Sequence, residues 1–140
     1  MGIEKAVDPG APTARDPIAA RVAVVADDLI WASRLRSAVE RAGATVVTLG
    51  GLPGDPASPP PPDQLAGALV DLGLRRADGV ATVAALVAAG VPVIGVGQHD
   101  DVVLRKRALA AGAGRVYSYD KLFRDGPDVV RRWLRGVADE

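Results

Sequence analysis

The 140-residue chain has no cysteine, which removes disulfides, thiolate metal sites and cysteine nucleophiles. Aromatic residues make up only 4% of it, so its core must be built from small aliphatic side chains packed closely. There is no excess charge: seventeen Lys and Arg balance seventeen Asp and Glu. Nucleic-acid and anionic-membrane binders rely on positive excess, which is missing here. No apolar run is long enough to cross a membrane, and the N-terminus lacks the apolar stretch of a secretory signal. These absences predict a cytoplasmic protein with neither nucleic acid nor membrane among its partners.

What the chain does have is a regular alternation of short apolar runs and helical patterns. The most informative run is Ala66-Gly-Ala-Leu-Val-Asp-Leu-Gly-Leu74, nearly unbroken around one carboxylate, Asp71. Such a run suits a strand buried on both faces of a parallel sheet. An acid at its C-terminal end points into the crevice where open α/β sheets place their ligands. Val22–Ala26 is a similar run, closed by Asp27 and Asp28, and Thr45–Leu49, Val91–Val96 and Arg115–Tyr119 complete a set of five strands.

Apolar residues at helical spacing predict helices over about Asp28–Ala42, Asp78–Ala89 and Asp101–Ala111. Their inner faces include Ala32, Leu35, Val39 and Ala42 in the first and Val80, Val83, Ala84 and Val87 in the second. Gly43, Gly90 and Gly112 stand where helices end. A last helix is expected to start at Asp125-Gly-Pro127, with Val130, Trp133, Leu134 and Val137 as its apolar stripe. Residues 50–62 break the pattern with six prolines, which a helix cannot accommodate. The helix between the second and third strands is therefore expected to be shortened or replaced by a loop. Residues 1–19 read as a flexible tail and 20–140 as one domain.

Strands alternating with helices imply right-handed crossovers and a parallel sheet. The expected class is α/β, a flavodoxin-like, doubly wound sheet in the order 2-1-3-4-5. In that order the first and third strands are neighbours, which brings Asp27 and Asp71 to one crevice. Two carboxylates meeting there repel, so that either one takes a proton or a cation sits between them. Magnesium is the usual hard ion for such a pair, and a carboxylate in that place can attack phosphorus. The plainer alternative is that Asp27 or Asp28 caps the first helix and Asp71 bonds loop amides.

Other signals are weaker. His99, the only histidine, follows the fourth strand on the crevice side; a metal site with Asp100 and Asp101 is poorly specified, and a loop residue beside a helix cap at Asp100 is the simpler reading. Gly50-Gly-Leu-Pro-Gly54 lacks the lysine of a phosphate-binding loop, and Gly95-Val-Gly97 lacks the third glycine of a dinucleotide fingerprint. The four-proline run reads as a surface linker rather than a ligand for a proline-binding groove.

Taken in order, Arg21-Val-Ala-Val-Val-Ala-Asp-Asp28, Leu69-Val-Asp-Leu-Gly-Leu74, Val91-Pro-Val-Ile94 and Arg107-Ala-Leu-Ala-Ala-Gly-Ala113 resemble the receiver domains of two-component response regulators, over about residues 21–123. The resemblance implies a CheY-like signalling protein of the phosphorelay type, with Asp71 at the phospho-acceptor position. It also implies a Mg2+ site from Asp27, Asp71 and Gly73, with Asp28 as an additional acid. Several positions depart from the family. Its first acid falls on Ala26, its switch hydroxyl on Gly97, and its lysine on Tyr119, with Lys121 two positions away. Asp28, Gly97, His99 and Tyr119 would line the crevice.

Removing one electrostatic stabiliser costs a catalysed step about 3 kcal/mol, so the departures imply an atypical, stand-alone receiver that needs no cofactor. It would be no enzyme, carry no DNA-binding output domain, and act by contact with other proteins. The family's partner and dimer face, formed by its fourth helix, fifth strand and fifth helix, falls here on Arg105, Tyr117, Tyr119 and Trp133, near Lys106, Arg107, Arg131, Arg132 and Arg135. A homodimer through that face is one expected arrangement. Two alternatives are a conventional Mg2+-dependent phospho-acceptor at Asp71, and a small flavodoxin-like enzyme or ligand binder using the crevice.

Overall fold

The computed structural model describes residues 19–51, 53 and 64–139, with side chains through 136. Five strands, β1 (Arg21–Val25), β2 (Thr45–Val47), β3 (Gly67–Asp71), β4 (Val93–Gly97) and β5 (Arg115–Ser118), form one parallel sheet in the order β2-β1-β3-β4-β5. The helices are α1 (Leu29–Arg41), α2 (Gly79–Ala88), α3 (Val102–Ala110) and α4 (Tyr119–Asp139). The expected α/β class and flavodoxin-like strand order are those observed. Most of the expected tail at 1–19 and of the proline-rich loop at 50–62 lies outside the described residues. Among the described residues no helix is long and apolar enough to cross a membrane.

Alternation along the strands sorts the core into two layers. Val22, Leu69, Ile94 and Val96 face Leu35, Ala38 and Val39 of α1 and Leu122, Val129 and Val130 of α4. Ala23, Val25, Ala68, Val70 and Val93 face Val83 and Leu86 of α2 and Ala108 of α3. The inner face of α2 is thus Gly79, Thr82, Val83 and Leu86, shifted from the expected one, which included Val80 and the exposed Ala84.

The small side chains set how closely the elements approach. A Cβ on Gly67 would overlap the Trp133 indole, and one on Gly126 would come within 2.9 Å of the Ala38 Cβ. Glycine at these two positions lets α4 lie directly against β3 and α1.

Helix starts follow aspartates. Asp28 accepts a hydrogen bond from the Trp31 amide at 3.0 Å, and Asp78 accepts from the Val80 and Ala81 amides. For α3 the cap is Asp101, bonded by the Leu104 amide at 3.0 Å, not Asp100 as expected. Gly43, Gly90 and Gly112 end their helices with positive φ, as foreseen.

Some boundaries differ from expectation. β4 begins at Val93 because Pro92 has no amide for the ladder, and β2 stops at Val47. α4 begins at Tyr119, where the Ser118 hydroxyl accepts from the Lys121 amide and the pairs Asp120–Arg124 and Lys121–Asp125 span one turn. The expected start at Asp125-Gly-Pro127 holds for the second part of α4: Asp125 leaves helical geometry at φ −126°, and a new helical run opens after it, with Pro127 in its first turn where no donor is needed.

Gly67→Ala is expected to lower unfolding free energy by about 1–3 kcal/mol, since the indole cannot retreat from a packed core. Gly97→Ala, whose Cβ would meet only contacts of 3.6 Å and longer, is expected to raise it by about 0.4–1 kcal/mol. Urea denaturation of the two variants checks both signs.

Candidate functional site

β1 and β3 pair with Val25 beside Val70, so the residues that follow them reach the same end of the sheet. Asp27 and Asp71 arrive there as the topology requires, but neither is left free to face the other. Asp27 accepts hydrogen bonds from two backbone amides of the loop after β3, Arg75 at 3.0 and 3.2 Å and Arg76 at 2.9 Å. Asp28 is occupied in capping α1.

Asp71 is only 2% exposed. Its Oδ1 accepts from the Gly73 amide at 2.9 Å and from the Tyr119 hydroxyl. Tyr119 stands at the first position of α4, and its ring lies 4.5 Å from that of Trp31, tilted by 40°. Arg34 continues the stack, with its guanidinium 5.1 Å from the centre of Trp31 and 4.5 Å from that of the exposed Phe123. An unbroken line of contact therefore runs from the buried carboxylate to the surface between α1 and α4.

Gly73 makes this arrangement fit. A Cβ there would lie 2.8 Å from the Tyr119 hydroxyl and 3.3 Å from Asp71 Oδ1, too close for the phenol to keep its place. Sequence reasoning put Tyr119 in the crevice but missed its bond to Asp71. The available signal was the pairing of a glycine two residues after the acid with a tyrosine at the head of the last helix.

The remaining expected residues are dispersed. Lys121 turns away, its ammonium 2.9 Å from Asp125. Gly97 is buried at the end of β4, where a Cβ would find Leu72 and Leu104 at ordinary contact distances of 3.6–4.0 Å. His99 is exposed, and its carbonyl, not its imidazole, meets Arg105 at 3.4 Å. Arg105 is exposed, whereas Tyr117, Tyr119 and Trp133 are half-buried and packed against the core. Of the expected interaction face, Tyr119 is thus committed to Asp71 and Trp133 to Gly67.

Mg2+ is the ion that the receiver fold implies, and the residues here do not fit it. Ala26 contributes no side-chain oxygen, Asp27 is closed by two amides, and one oxygen of Asp71 already has two donors. Among the described residues no buried side-chain oxygen lacks a partner, and no three acidic, histidine or cysteine side chains gather as a metal cluster.

The Tyr119 phenol is held well above its usual pKa of 10, first by burial, then by its hydrogen bond to Asp71 and that carboxylate's negative charge.

The fold is that of response-regulator receiver domains. A CheY-like receiver domain protein from Methanospirillum hungatei JF-1 superposes with a TM-score of 0.67 at 18% identity, over 87% of this chain and 98% of that one. The receiver domain of the TMAO respiratory system response regulator TorR gives 0.66 at 21% identity, over 84% and 98%. A response regulator from Burkholderia pseudomallei, solved with a phosphorylated aspartic acid, a calcium ion and citrate, gives 0.61 at 16%, over 86% and 71%. No protein-family model matches the chain, and no curated protein does.

A raised phenol pKa fixes a sign for stability against pH. The folded state keeps its proton where the unfolded chain loses it, so the Tyr119 contribution is whole below about pH 10 and erodes as pH climbs toward the folded value. The expected slope above pH 10 is up to about 1.4 kcal/mol per pH unit. Tyr119→Phe keeps the ring on Trp31 and removes the hydroxyl. It is expected to cost about 1.5–3 kcal/mol at neutral pH and to flatten that alkaline slope, measured by urea denaturation between pH 7 and 11.

Proposed function

We propose that this chain is a receiver-fold signalling module that works by contact with another protein and whose phospho-acceptor position is held shut. The observation that carries this reading is the Tyr119 hydroxyl on the buried Asp71 carboxylate, at the position where the family resemblance expects a lysine. Phosphoryl transfer depends on cations that neutralise charge on the equatorial oxygens. Here the neighbour is a neutral phenol that stays protonated, and it holds one oxygen of the carboxylate.

The acids around it support the same reading. Asp27 fastens a loop and Asp28 a helix start, so both are engaged in holding the fold. With Gly97 at the end of β4 there is no hydroxyl to register a phosphoryl group. The reading as an enzyme built on His99 finds no support, since that imidazole makes no contact with Asp71.

Incubation with acetyl phosphate and Mg2+ is expected to leave the intact mass unchanged. Beryllofluoride with Mg2+ is expected to leave the emission of Trp31, which lies against Tyr119, unaltered. A Mg2+-dependent adduct at Asp71, absent in Asp71→Asn, would falsify the reading.

A further inference from the structure

The end of the sheet opposite Asp71 carries a separate feature. A cleft of about 640 Å³ opens there between the edge strand β5 and the second half of α4, within the size range of small-molecule sites. Arg115 and Tyr117, two residues apart on β5, share one face of the strand. Arg132 and Trp133 approach from α4, the indole fixed in place by its seat on Gly67.

Two properties distinguish this cleft from an ordinary solvated surface. The first is unspent charge. Lys121, Arg124 and Arg131, also on α4, each pair with an aspartate, whereas Arg115 and Arg132 have no ion pair or hydrogen bond among the described residues, Arg132 meeting the Asp125 charge only at longer range, and the Tyr117 hydroxyl has no partner among them either. The second is space left by glycine. A Cβ on Gly136 would meet nothing within 4 Å, and one on Gly114 only the Val93 carbonyl at 3.7 Å.

We propose that this cleft binds a planar aromatic anion of nucleotide size, with its ring on Trp133 and Tyr117 and its phosphate between Arg115 and Arg132. Indole and phenol faces stack on flat rings, and guanidinium forks match phosphate oxygens in pairs. A second copy of the chain across this face would bring four guanidiniums without an ion pair together, so an anion is the better occupant. The site is independent of Asp71 and stands or falls without it.

The test is a titration of the full chain with 5′-AMP, 5′-GMP and inorganic phosphate, followed by amide NMR. The expected result is saturable shifts at Gly112, Gly114, Tyr117 and Gly136 with a nucleotide, and at least about tenfold weaker binding of phosphate alone. Arg115→Gln and Arg132→Gln are each expected to weaken nucleotide binding about tenfold or more. Gly136→Leu, which builds into open space, is expected to abolish binding with the urea midpoint maintained. No saturation by about 10 mM nucleotide overturns the proposal, and so does equal affinity for phosphate alone. Shifts that track protein concentration instead of nucleotide, which would mark contact between copies, overturn it as well.

Discussion

The structure at the C-terminal end of the sheet depends on one buried carboxylate and the two groups that satisfy it. Asp71 is placed by a fully buried strand, and an ionised acid so deep is costly unless donors reach it. A backbone amide from the following turn and a phenol from the last helix supply them. Much nearby follows from that need. Gly73 must lack a side chain, α4 must begin as early as Tyr119, and Trp31 must stand where the phenol can lean on it.

The rest of the fold is a matter of close approach. With few aromatics and many alanines, valines and glycines, the helices lie near the sheet, and the contact between α4 and β3 is that of an indole on a bare glycine backbone. Such contacts leave little slack. They hold Tyr119 at one end of α4 and Trp133 further along the same helix, so both ends of the sheet are tied to one element. Asp125 and Pro127 bend that element between the two.

Much of this was legible in the sequence. The apolar runs gave the strands, most plainly β3 and β4, which are buried along their whole length, and the alternation with helices pointed to their order. The aspartate caps and the glycine helix ends followed from local chemistry. The errors arose where distant residues decide. Pro92 moved the start of β4 by removing a donor, and side-chain pairs stabilise an unexpected helical run from Tyr119 ahead of the break at Asp125. Asp71 and Asp27 could be brought to one end of the sheet on paper, but not assigned their partners. Those partners are a tyrosine 48 residues away and the backbone of a loop, which no spacing rule connects.

The clasp between Asp27 and the loop after β3 has a consequence of its own. Its donors are main-chain amides of Arg75 and Arg76, and both residues are exposed. The loop therefore keeps its shape whatever non-proline residue stands at either place. Two adjacent exposed positions beside the site are thereby free to vary in size, charge or polarity, and selection can rewrite what this rim presents to its surroundings without loosening the fold.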